Sequence, residues 1–276
     1  NSAFAALKRY TPPLLGSSPN WAQQTTVRNP LFTFNQCPDG CSVAAWGDVE
    51  YGGSDVPEDV ANPAAGAEIV AIAANEAAFA ALKNDGTVSA WGHASAGGSG
   101  VPADVAMPAP GNEVVSIVST SRAFAALKKD GSASAWGHAD FGGTGVPSDV
   151  SSPAAGKEVI VIASTHYAFA ALKKDGLVSV WGHPEYGGSG VPASAVGVQS
   201  IASTERAFAA VKSDGSVSVW GDPDYGGSGA LPGVPVVEIA SARTGFAALT
   251  NEGSVFAWGG GSGSGVSSVP ADVASP

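Results

Sequence analysis

The chain has 276 residues, of which 44% are hydrophobic and only 13% charged, and it carries 37 glycines and 19 prolines. That composition excludes coiled coils and long solvent-facing helices, which need Lys and Glu on their exposed sides. It also excludes disorder, because seven Trp and ten Phe supply a core. A net charge of −11, from 24 acidic and 13 basic residues, makes nucleic acid and anionic membranes poor partners and leaves another protein as the expected one. No stretch reaches the roughly 18 apolar residues of a membrane span, so direct membrane insertion is not expected.

From the N-terminus, Ala3-Phe-Ala-Ala-Leu-Lys8 reads as a strand. Residues 9–30, with Pro12, Pro13, Pro19 and Trp21, read as an irregular insertion in a hairpin or as a degenerate blade. The strand-like Leu31-Phe-Thr-Phe34 tips that reading toward a degenerate seventh unit. Cys37 and Cys41, the only cysteines, flank Pro38-Asp-Gly40 at a hairpin turn. A disulfide is expected there if the Cα separation is within reach, with two free thiols as the alternative. The disulfide would imply an extracellular site or an organelle lumen; otherwise the sequence fixes no compartment.

From Trp46 onward the chain repeats. Trp-Gly occurs at Trp46, Trp91, Trp136, Trp181, Trp220 and Trp258, at spacings of 45, 45, 45, 39 and 38 residues. Twelve residues before the last five tryptophans stand Phe79, Phe124, Phe169, Phe208 and Phe246, and Phe34 stands twelve before Trp46. In the copy around Trp136, Val114 to Val118 and Ala123 to Lys128 predict two strands. Asp130-Gly131 makes a hairpin turn, and Ser132 to Trp136 is a third strand. Gly142-Gly143 then breaks the chain, and Gly145-Val146-Pro147 predicts a fourth, edge strand. Strands such as Ala-Phe-Ala-Ala-Leu are apolar on both faces, as in a blade covered by neighbours on either side. The expected fold is all-β: one β-propeller domain over residues 1–276, with six or seven four-stranded blades.

The string shared by the copies runs V-x-x-I-A-S-x-x-x-A-F-A-A-L-K-x-D-G-x-V-x-x-W-G-x-x-x-x-G-G. It resembles the regulator-of-chromosome-condensation repeat, through Val198 to Ala202, Ala210-Val211, Asp214-Gly215, Val217, Trp220-Gly221 and Gly226. The resemblance recurs from Leu31 to the C-terminus and implies a propeller, seven-bladed in the best-known members. The family's G-x-x-H before the second strand reads mostly Ser-Thr-x-x here, and the units are shorter. In length they are similar to the compact secreted members of the β-lactamase inhibitory protein type. The resemblance carries fold better than function, since such propellers serve as exchange factors, inhibitors and scaffolds alike.

No nucleophile–base arrangement, phosphate loop or dinucleotide fingerprint is present, so neither catalysis nor a cofactor is expected. His93, His138 and His183 follow Trp-Gly at one repeat position, where Asp48 and Asp222 stand in other copies. That pattern reads as a polar loop position, and no metal site is expected. The acidic-aromatic turns Glu50-Tyr51, Asp140-Phe141, Glu185-Tyr186 and Asp224-Tyr225 predict rings packed over the adjacent Gly-Gly. Against constant strands, the loop before each Phe strand varies, and these loops supply the candidate binding face: Glu76, Arg122, His166, Tyr167, Glu205, Arg206 and Arg243. Arg and Tyr are typical interface anchors, and the cations predict a locally positive surface. The expected function is a non-catalytic protein–protein interaction module, scaffold or peripheral subunit of a larger assembly. The alternative is a soluble inhibitor or a guanine-nucleotide-exchange-like regulator.

Overall fold

A computed structural model describes residues 3–9, 25–26, 34–35, 41–229 and 233–260, with side chains from residue 43 onward. Two compact units divide the chain: Asn1–Asp130 with Ser134–Ala139, and Gly131–Ala133 with Asp140–Pro276. In the first, β1 (Ala3–Arg9), β2 (Thr25–Thr26), β3 (Phe34–Asn35), β4 (Cys41–Gly47), β5 (Ile69–Ala74), β6 (Ala78–Lys83) and β7 (Val88–Gly92) share a sheet in the order β2-β1-β4-β5-β6-β7, with β3 on β5. A three-stranded sheet follows, of β8 (Val114–Ser119), β9 (Ala123–Lys128) and β10 (Ala133–Gly137). The second unit holds three more: β11 (Val159–Ser164), β12 (Ala168–Lys173), β13 (Val178–Gly182); β14 (Val198–Ser203), β15 (Ala207–Lys212), β16 (Val217–Gly221); and β17 (Val236–Ser241), β18 (Gly245–Thr250), β19 (Val255–Gly259).

One register recurs. The middle strand sets its Phe opposite the Trp of the third strand, as in Phe79 opposite Trp91, Phe169 opposite Trp181, Phe208 opposite Trp220 and Phe246 opposite Trp258. β1 and β4 keep that register, with Phe4 opposite Trp46, while Phe34 lies opposite Ile72. Residues 10–40 thus run between two paired strands of one repeat. Apart from β2 and β3, that segment, Cys37 within it and the Cys41 side chain lie outside the described residues, as does the chain beyond residue 260.

The middle strands β6, β9 and β12 are buried along their whole length, with Leu beside two Ala on one face and Phe beside one Ala on the other. Every described Phe–Trp pair stacks, with ring centroids 5.1–5.3 Å apart. Each of these tryptophans donates its indole N–H to the first Gly carbonyl of the preceding repeat, Trp136 to Gly97 at 3.0 Å and Trp220 to Gly187 at 3.2 Å. The Gly-Gly pair is required by close approach on both sides. Gly97 has φ +89°, and a Cβ there would lie 2.8 Å from the Phe124 ring; one on Gly98 would lie 2.3 Å from the Gly92 carbonyl oxygen.

The expected fourth strand is absent from the repeats described from Ile69 onward, each of which has three strands. Residues 144–147 form no strand; Pro147 instead caps a single helical turn, α3 (Ser148–Ser151), as Pro57 caps α1 (Glu58–Ala61) and Pro102 caps α2 (Ala103–Ala106). Proline has no N–H for a ladder, its φ near −57° suits a helix entry, and an acid follows in the first turn. These turns bury Val60, Val105 and Val150 completely. The 39-residue spacing before Trp220 arises here too, because residues 192–197 make a turn without the helix.

Each helical turn is fastened by a charge. Lys83, Lys128 and Lys173, buried at the ends of middle strands, reach Asp59, Asp104 and Asp149 at 2.5 Å. Ser89, Ser134 and Ser179 donate to the same carboxylates at 2.6–2.7 Å. Burial pushes these carboxyls up, but the Lys and Ser hydrogen bonds outweigh it and hold them below their ordinary value.

Candidate functional site

The variable loops are built on a buried polar residue. Thr165 and Thr204 accept from the N–H of Ala168 and Ala207 at 3.1 and 3.0 Å, closing the turn before the Phe strand. The same hydroxyls donate to the Tyr186 and Tyr225 carbonyls at 2.9 and 3.0 Å, which ties the acidic-aromatic turn against the loop. Asn75 does both tasks in the first unit, accepting from Ala78 at 2.8 Å and donating to the Ala96 carbonyl at 2.7 Å. Neighbouring loops are also linked by their backbones: Glu76 N–H to Ser121 O in the first unit, and His166 N–H to Glu205 O and Glu205 N–H to Arg243 O in the second.

In the second unit these loops and turns interleave their side chains. Phe141 lies 4.2 Å from Tyr167, and Tyr167 stacks on Tyr186 at 4.1 Å. The Arg206 guanidinium then sits between two rings, 4.8 Å from Tyr186 and 4.6 Å from Tyr225. His183 stands edge-on to Tyr186 at 5.2 Å, and its Nδ1 is buried without a hydrogen-bond partner. Burial in this stack pushes the Tyr186 phenol above its ordinary value, with the Arg206 charge opposing it. The result is a continuous series, Phe141–Tyr167–Tyr186–Arg206–Tyr225, in which Phe141 meets Tyr167 at a tilt of 54° and the later members lie face to face. The rings of the acidic-aromatic turns therefore pack on the loop side chains. The Gly-Gly beside them is occupied by the Phe of the following repeat.

The cations do not leave a positive surface. Glu205 binds Arg243 at 2.6 Å and lies 3.5 Å from His166, Arg206 lies 3.5 Å from Asp222, and in the first unit Arg122 lies 3.8 Å from Glu76. The expected local positivity is thus corrected to near-neutral pairs, because each basic loop residue has an acidic neighbour one repeat away or at the following turn. In the second unit the structure brings His166, Glu205 and Arg243 into one polar cluster and Tyr167 and Arg206 into the stack. In the first unit Glu76 and Arg122 form a pair. Sequence reasoning missed Tyr186 and Tyr225 as partners of the loops, and Thr165, Thr204 and Asn75 as their anchors. The Ser-Thr that recurs before three of the five loops, at Thr120, Thr165 and Thr204, carried the second signal. Among the described residues, no three His, Cys, Asp or Glu side chains gather closely enough to hold a metal ion.

No protein-family model and no curated protein matches the chain. Among solved structures it is similar to human WBSCR16, with 19% identity over 93% of this chain and 88% of that one and a TM-score of 0.51. It is also similar to Prp20p, the RCC1 of Saccharomyces cerevisiae, with 21% identity over 74% of this chain and 58% of that one and a TM-score of 0.50. The ectodomain of the Physcomitrella patens receptor kinase CR4 is similar at 16% identity, 84% and 61% coverage and a TM-score of 0.51. The chain spans less than two thirds of the length of Prp20p and of CR4. At these identities the likeness is one of fold. The repeats have the fold of the regulator-of-chromosome-condensation type of β-propeller.

Proposed function

We propose that this chain is a non-catalytic protein–protein interaction module, acting as a scaffold or peripheral subunit of a larger assembly, built as a propeller of six or seven blades on its six Trp-Gly repeats. The observation that carries the reading is the stack of Tyr167, Tyr186, Arg206 and Tyr225 in the second unit. Tyr and Arg are the residue types that dominate interface energetics. Side chains already ordered by mutual stacking lose less rotamer freedom on binding. The paired charges around them offer hydrogen bonds without a net charge to desolvate. Prp20p, a fold neighbour, is described by its binding to Gsp1p and histones, which supports a protein as the class of partner.

The test is recovery of a stable complex from native extract, identification of the partner by cross-linking, and affinity measurement with purified components. Tyr167→Ala with Arg206→Ala should weaken the complex at least tenfold, on the order of 1.4 kcal/mol. Unchanged affinity would remove this surface from the interface.

A further inference from the structure

Compared by repeat position, the stack of the second unit and the matching positions of the first differ in one respect. The second unit reads Phe141, Tyr167, Tyr186, Arg206; the first reads Tyr51, Ala77, Ala96, Arg122. Both ends are kept as a ring and a guanidinium, while the two central tyrosines are alanines. The backbone beneath is held in the same way in both places. Asn75 binds the Ala96 carbonyl at 2.7 Å as Thr165 binds that of Tyr186 at 2.9 Å. The Ala77 carbonyl accepts from the His93 N–H as that of Tyr167 accepts from the His183 N–H. The alanines therefore leave a space without altering the frame. A cavity of about 180 Å³ occupies it, lined by Tyr51, Ala77, His93, Ser95, Ala96 and Arg122.

We propose that this notch receives one aromatic side chain of a partner protein, inserted between Tyr51 and Arg122. The proposal rests on the interaction-module reading and narrows it to a chemistry. The chain's own repeat supplies the template: at the equivalent place in the second unit, tyrosine rings fill the space between Phe141 and Arg206. An apolar cavity of about 150 Å³ holds one benzene ring, so the notch has room for a single ring over its alanine floor. A ring presents its face to the Arg122 guanidinium and to Tyr51, gaining cation–π and stacking contacts together. A cationic side chain would be set beside Arg122 and repelled. A carboxylate would sit against the alanines and near Glu76, which already pairs with Arg122, and would lose its hydration for little return. His93, whose Nδ1 is within 2.9 Å of Ser95 Oγ, stands where His183 meets Tyr186 edge-on and would wall one side.

The test is a titration of the full chain, labelled at its alanine methyl groups, with N-acetyl-L-tyrosinamide, followed by NMR. Saturable shifts are expected at Ala77 and Ala96 in the millimolar range, at least fivefold weaker with N-acetyl-L-leucinamide. The double variant Ala77→Tyr/Ala96→Tyr, filling the notch from within, should lose the response while the methyl signals of the second unit stay in place. Tyrosines at both positions of the second unit show that this backbone accepts them, and the single variant Ala96→Tyr serves as a milder block. No saturable shift at these methyls, equal binding of the leucine compound, or an undiminished response in both filled variants would overturn the proposal. This titration needs no partner. A complex indifferent to Tyr167→Ala/Arg206→Ala would therefore count against the interaction surface alone, and a silent notch against the subsite alone.

Discussion

Trp136 donates its indole N–H to the carbonyl of Gly97, 3.0 Å away and 39 residues earlier. The bond joins the third strand of one repeat to the Gly-Gly turn of the repeat before it, and it recurs at Trp91, Trp181, Trp220 and Trp258. A core tryptophan thus also serves as a fastener between repeats. Trp136→Phe keeps a ring against Phe124 but removes the donor and leaves a buried carbonyl unpaired. We expect a loss of about 1–3 kcal/mol in urea unfolding. A loss within about 0.5 kcal/mol of zero would show that the bond contributes nothing.

The glycines that follow separate two causes of strain. Gly97 and Gly100 both have positive φ, +89° and +73°, but a Cβ on Gly97 meets the Phe124 ring whereas one on Gly100 meets nothing within 4 Å. Gly100→Ala should cost about 1–2 kcal/mol for the left-handed backbone alone. Gly97→Ala should cost a further 1–3 kcal/mol, roughly, for overpacking. Equal losses in the two variants would refute the close-approach argument.

The Lys–Asp–Ser fasteners predict a pH dependence. The carboxyls of Asp59, Asp104 and Asp149 are held below their ordinary value in the folded chain. Their contribution is therefore present above the unfolded value, about pH 4, and is lost as pH falls through the lower folded value. Replacing all three with Asn should destabilise the chain at pH 7, by about 0.5–1 kcal/mol at each site, since solvent screens these half-exposed carboxylates. That deficit should shrink as pH falls below about 4. Denaturation of both proteins from pH 7 to pH 2.5 measures it, and a deficit that stays constant across that range would show that the carboxylate charge plays no part.

Cys37 and Cys41 remain a proposal from the sequence: a disulfide across Pro38-Asp-Gly40. Intact mass of the unreduced native protein should be lower by two hydrogens than that of the reduced one. Two thiols that alkylate without reductant would dispose of it.

The repeat was legible because its signals are local. Asp-Gly turns and Phe and Trp twelve residues apart each act within a hairpin, and the register found for Phe169 and Trp181 follows from them. The expected fourth strand at Gly145-Val146-Pro147 was misread, since Pro can end a strand or begin a helix. The buried Val150 and the Asp149–Lys173 pair, 24 residues apart in sequence, settle the choice.

The site was legible only in part. Divergent loops singled out Tyr167, Arg206 and Arg243, but a sequence does not say which side chain of the next turn each will meet. Tyr186 becomes a neighbour of Arg206 only when Thr204 and Thr165 dock consecutive loops and turns together through single hydroxyls. Likewise Ala77 and Ala96 look like unremarkable small residues until repeat equivalence sets them opposite Tyr167 and Tyr186. The sequence determined strands, turns and the stacked Phe–Trp core, because those depend on backbone preference and burial within one repeat. Tertiary structure decided which cations are neutralised, which rings stack and where a ring is missing, because those depend on contacts between repeats that local pattern does not encode.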